Sequence, residues 1–304
     1  MEEPKRRRFR PFRGNRAARL PAAAAAEALP TRPRSRGIYI LPNAFTTANL
    51  FAGFYAIVQA MNGRFEVAAV AIFVAMVLDS LDGRVARLTN TQSAFGEQYD
   101  SMSDMVSFGA APALIVYEWA LRGMGKLGWL AAFVYCAGAA LRLARFNANI
   151  GVVDKRYFQG MPSPAAAALV AGLVWIATDL RETRWIDATG TDLRWLAWAI
   201  TLYAGVTMVS NAPFYSFKTV NLKKSVPYMA VPLIVLAFVL VSSDPPIVLF
   251  SLFLVYAVSG YVVWFWRWRT GRGGPLKAST APAPAEPPGS AAGTTSPPPP
   301  GASN

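Results

Sequence analysis

Four aspartates stand where acids are costly. Asp79 and Asp82 end an apolar run from Val67 to Leu78, and Asp100 and Asp104 precede another from Val106 to Val116. The first pair is spaced i,i+3 and the second i,i+4, so each pair shares a helix face. If the two helices fold back on one another, four carboxylates meet at one depth near a membrane boundary. Left unpaired there, each costs roughly several kcal/mol. Two divalent cations would balance four negative charges. Ligands that are all oxygen suit Mg²⁺ or Mn²⁺ rather than zinc. Two such ions, ~3.5–4 Å apart, suit displacement at phosphorus, because they hold attacking and leaving oxygens together. A blander reading makes these helix-end carboxylates, with Asp100 and Asp104 favoured by the positive start of their helix. A third makes them an ion path in a transporter or channel. Two face-matched pairs favour the ligand role.

The neighbours refine this chemistry. Gly83 and Gly96 let a ligand approach the backbone, or let helices pack closely, and Ala86 fits either use. Arg87 has the geometry to bind phosphate bidentately, whereas Arg84 reads as an anchor at the membrane surface. Arg142 and Arg145 lie one helical turn apart, and Lys218 is expected on the same side of the membrane. All three suit a carboxylate or a phosphate; headgroup contact is the alternative, and for Lys218 the two readings are even. Asn147 fits a substrate contact or a helix cap. Pro42 and Asn43 line a polar site or mark an entry turn. Thr46 and Asn49 serve helix contacts as readily as chemistry.

The rest of the chain must position these groups. Of 304 residues, 54% are hydrophobic and 15% charged, with mean hydropathy +0.30. Soluble proteins carry about 25% charged residues, so the composition indicates a membrane protein. No histidine is present, which excludes His-based catalysis and His metal sites, and the single Cys136 excludes an intrachain disulfide or zinc knuckle. Eight apolar segments, at 38–60, 65–83, 96–121, 127–146, 164–180, 194–212, 226–242 and 246–266, approach the ~17–25 residues of a spanning helix. The expected fold is an all-α integral membrane protein with about eight transmembrane helices. Its domain occupies 37–270, between a basic arm at 1–36 and a Pro/Ala-rich tail at 271–304, both expected to be disordered. With eight spans, 24 basic residues fall on the side of the termini and 6 on the other, which predicts both termini in the cytoplasm. The acids then face the cytoplasmic boundary of the cell inner membrane. The net charge of +13 suits phosphate-rich partners, and the arm suits anionic lipid headgroups. No folded nucleic-acid reader accompanies the arm, so nucleic acid is not an expected partner.

Residues 79–104 read DSLDGRVARLTNTQSAFGEQYDSMSD. This string resembles the motif of the CDP-alcohol phosphatidyltransferase family, D-x2-D-G-x2-A-R-x8-G-x3-D-x3-D, at all eight fixed positions. A chance match is on the order of 10⁻¹⁰ per start point. Five further stretches resemble the membrane-embedded phosphatidylserine synthase subgroup: LPNAFTTANLFAGF (41–54), SDMVSFGAAPA (103–113), ALRLARFN (140–147), FQGMPSPAAA (158–167) and NAPFYSFK (211–218). Ala52 and Met161 depart from that pattern, where Cys and Leu are usual. The resemblance implies an enzyme that moves a phosphatidyl group from CDP-diacylglycerol to an alcohol, here L-serine, and releases CMP. It implies Asp79, Asp82, Asp100 and Asp104 as metal ligands, with Asp104 also the general base. It implies that Gly83, Ala86, Arg87 and Gly96 border the CDP moiety, and that the protein is a homodimer. Arg142, Arg145, Asn147 and Lys218 then serve serine or phosphate. Acceptors such as glycerol phosphate, an inositol compound or choline would use the same chemistry.

Overall fold

A computed structural model of the protein describes residues 40–89, 91, 93–148, 157–183, 189–215 and 230–270. The arm at 1–36, the tail at 271–304 and Lys218 lie outside the described residues. Where described, each of the eight apolar segments is helical, except that the sixth leaves its helix after Val209. They form α1 (Ile40–Met61), α2 (Phe65–Thr89), a compound third helix, α5 (Lys126–Ala148), α6 (Ser163–Glu182), α7 (Arg194–Val209), α8 (Ala230–Ser243) and α9 (Pro245–Arg269). Among the described residues, four stretches are long and apolar enough to cross a membrane: Pro42–Met61, Lys126–Ala148, Ser163–Glu182 and Pro245–Trp266. Large apolar side chains such as Phe51, Phe54, Phe133, Phe238 and Val255 are exposed, as a bilayer requires and water penalises. α2 runs six residues beyond its apolar segment, to Thr89, so Gly83, Ala86 and Arg87 continue the helix that carries Asp79 and Asp82.

The segment expected as one helix over 96–121 is broken. α3 (Ala94–Asp104) passes into a π-helical stretch, Met105–Ala110, then α4 (Ala111–Val116), then a second π-helical stretch, Tyr117–Leu121. Pro112 supplies the cause. Proline has no N–H to offer the carbonyl four residues back, and that carbonyl, of Phe108, instead accepts from the buried Tyr135 hydroxyl at 3.0 Å. π-Helical turns occur often at functional sites, and this one begins directly after Asp104.

α6 lies at the centre. It is buried without interruption from Ala165 to Val174 and packs against α2, α7 and α9. A helix apolar on every face belongs inside. Two short strands, β1 (Tyr157–Gln159) and β2 (Pro213–Tyr215), pair antiparallel with Phe158 opposite Phe214. This ribbon is an addition to the expected all-helical architecture. Gly160 follows β1 at φ +81°, and a Cβ there would fall on the Met208 carbonyl.

Within lipid, helices associate through close packing rather than a hydrophobic drive. Gly138 on α5 and Gly205 on α7 provide it, since a Cβ on Gly138 would meet the Gly205 carbonyl and one on Gly205 would meet the Tyr135 backbone. Gly138→Ala is expected to destabilise the purified protein by about 1–3 kcal/mol. Gly123→Ala, with nothing within 4 Å, should be neutral, and thermal unfolding in detergent compares the two.

Candidate active site

The spacing in α2 turns into a face. Asp79, Asp82, Gly83, Ala86 and Arg87 recur at helical intervals along it, and Gly96, Asp100 and Asp104 do so along α3. Ser93 starts α3 by accepting from the Gly96 N–H at 3.0 Å, a side-chain cap. The two faces meet. Asp79, Asp82 and Asp100 each offer an oxygen, and these oxygens all lie within 4.8 Å of one another. Asp104 stands one turn beyond Asp100 and feels the charge of both Asp79 and Asp100.

α1 holds this cluster in place. Thr46 donates to Asp82 Oδ2 at 3.0 Å, and Asn49 Nδ2 donates to Asp104 Oδ1 at 3.2 Å. In return, Ser103 donates to the Thr46 carbonyl and Ser107 to the Asn49 carbonyl, each at 3.0 Å. Gly53 completes the seam, because a Cβ there would collide with Ser107. Thr46 and Asn49 are therefore buried partners of the aspartates as well as helix contacts.

The donor set fits a hard divalent cation. It consists of carboxylate oxygens, and Asp100 Oδ1 is buried with no hydrogen-bond partner among the described residues. Clustered carboxylates with an unsatisfied oxygen call for positive charge, and oxygen donors select Mg²⁺ or Mn²⁺.

A cavity of ≈ 130 Å³ opens beside the cluster. Gly83, Ala86, Arg87 and Gly96 all line it, together with Asp82 and Asp100. Pro42, Asn43, Thr46, Thr91, Ser93 and Glu97 complete the wall. Gly96 faces the Asn43 amide, since a Cβ there would stand 3.6 Å from its oxygen. Arg84 is exposed and does not line the cavity.

The polar side chains at the end of α5 make contacts of their own. Arg142 donates to Ser163 at 2.8 Å, and Asp104 is among the charges acting on it. Arg145 donates to Asn211 Oδ1 at 3.2 Å. Asn147 Nδ2 donates to Ser101 at 3.1 Å, so this side chain links α5 to α3. The partners Ser101, Ser163 and Asn211 escape sequence reasoning, although Ser163 and Asn211 stand in stretches that carry the family resemblance.

A sequence model of the CDP-alcohol phosphatidyltransferases matches residues 39–209, more than half of the chain. The chain belongs to this family. The matched region spans the cleft and the helices that frame it. Relatives within the CDP-alcohol phosphatidyltransferases include the CDP-diacylglycerol–serine O-phosphatidyltransferase of Helicobacter pylori, 36% identical over 231 residues, covering 75% of this chain and 92% of that protein. The enzyme of the same name from Mycobacterium leprae is 31% identical over 234 residues, 74% of this chain and 76% of that protein. That of Saccharomyces cerevisiae is 39% identical over 146 residues, 43% of this chain and 51% of that protein.

The site geometry carries a direct expectation. Asp100→Asn should raise the thermal stability of the metal-free protein by relieving repulsion, and should abolish the gain that Mn²⁺ gives the wild type. That gain is expected at about 2.7 kcal/mol when the ion stands at a hundredfold its Kd. Thermal unfolding with and without Mn²⁺ measures both.

Proposed function

We propose that this protein transfers the phosphatidyl group of CDP-diacylglycerol to the hydroxyl of L-serine, giving phosphatidylserine and CMP. The observation that carries the reading is that Asp82 and Asp100, clustered with Asp79, line one cleft with Gly83, Ala86, Arg87 and Gly96. Relatives named as serine transferases, one of them matched over 92% of its length, support serine as the acceptor.

In this reading Asp79, Asp82, Asp100 and Asp104 hold two divalent ions, Mg²⁺ or Mn²⁺. When bound, these supply the positive charge that neutralises the diphosphate as CMP departs. Gly83, Ala86 and Gly96 leave room for the nucleotide, and Arg87 binds its phosphates. Asp104 takes the proton of the serine hydroxyl as that oxygen bonds to the β-phosphorus and the bond to CMP breaks. Asn49 keeps one Asp104 oxygen engaged. Arg142 and Arg145, with Asn147 and Lys218, attract the serine carboxylate or the lipid phosphate. Shared orientation of both substrates in one pocket contributes much of the rate.

The surrounding assembly follows from charge and hydropathy. Eight helices span the inner membrane with the carboxylates at its cytoplasmic boundary and both termini in the cytoplasm. The arm at 1–36 lies on anionic lipid headgroups; the family resemblance, rather than charge, is what suggests that two chains associate as a homodimer.

Two measurements test the proposal. Membranes given CDP-diacylglycerol with serine, glycerol phosphate, inositol or choline should release CMP with serine; release with another alcohol alone would reassign the acceptor, and ion flux without CMP would point to transport. At saturating metal, Asp104→Asn should lower kcat by about 10²–10⁴-fold, whereas near-wild-type turnover would remove Asp104 from the base role.

A further inference from the structure

Asn49 is 0% exposed, and its amide is only half satisfied. Nδ2 donates to Asp104. Oδ1 has no hydrogen-bond partner among the described residues. Buried polar atoms are nearly always paired, so an orphaned acceptor asks for a donor. Because both atoms belong to one planar amide, the orphan stands beside the carboxylate proposed to receive the hydroxyl proton.

A ligand that completes this arrangement brings a hydrogen donor close to its reacting hydroxyl. An ammonium group is donor-only, with three N–H bonds. Arg142, which feels Asp104 from α5, suits an anionic group of the same ligand. Resting on the function proposed above, we infer that Asn49 is a specificity residue: Oδ1 receives the ammonium of the amino-alcohol acceptor while Nδ2 fixes Asp104. One amide thus ties the amine to the base that serves the hydroxyl.

The full chain in lipid nanodiscs with CDP-diacylglycerol tests this. Serine kinetics are measured beside inhibition by 3-hydroxypropanoate, which keeps the hydroxyl and carboxylate but lacks the ammonium. Asn49→Ala should raise KM for serine about ten- to a hundredfold, the value of one hydrogen bond to a charged group, and leave the inhibition constant within about threefold. When ionised, Asn49→Asp keeps an acceptor oxygen but cannot donate to Asp104. It should hold KM for serine near the wild-type value while kcat falls, a split that a merely structural role does not produce. Asn49→Ser carries the alanine expectation should that variant not fold. Equal rises in serine KM and the inhibition constant, or a serine KM that does not move, would overturn the inference. Wild-type protein without serine-dependent CMP release would overturn the function as well.

Discussion

Like charges crowded where water is scarce are the constraint on which the rest of the site depends. Three carboxylate oxygens within 4.8 Å repel by roughly 3–4 kcal/mol per ionised pair at an effective dielectric near 20. The fold must hold them together against that repulsion. It does so from a third helix, α1, whose Thr46 and Asn49 donate to Asp82 and Asp104. The same turns of α1 accept hydrogen bonds from Ser103 and Ser107. The carboxylates are thus fixed before any cation arrives, and the residual repulsion becomes affinity for one.

The break in the third helix belongs to the same construction. A regular helix through Asp104 would continue its face evenly into the apolar run. Pro112 interrupts it, the chain widens into a π-helical stretch, and Tyr135 takes up the released Phe108 carbonyl. Ser107 lies inside that stretch and grips α1, with Gly53 giving it space. The irregular backbone is buried in protein rather than exposed to lipid, which is where membrane proteins tolerate it.

The carboxylate face was legible in the sequence because helical periodicity turns spacing into position. Asp82, Gly83, Ala86 and Arg87 share α2, Gly96 and Asp100 share α3, and the cleft gathers both sets, with Asp79 clustered against Asp82 and Asp100. Apolar length likewise marked the eight helices. Other features were hidden for physical reasons. Arg145 with Asn211 and Arg142 with Ser163 are tertiary pairs, far apart in the chain and invisible to local spacing. The β1–β2 ribbon is three residues per strand, too short for an alternating pattern to register. Asn49 in an apolar helix reads as well for helix adhesion as for chemistry, and only its partners distinguish the two. Pro112 was the readable sign that 96–121 would not be one helix.

The central claim is that these aspartates exist to hold divalent ions against a diphosphate. Anomalous diffraction at the manganese edge, on crystals grown with Mn²⁺ and CDP-diacylglycerol, tests it most directly. The expected result is manganese density among Asp79, Asp82, Asp100 and Asp104, next to the lipid's diphosphate in the cleft lined by Gly83 and Arg87. Bound nucleotide with no manganese beside those carboxylates would contradict it.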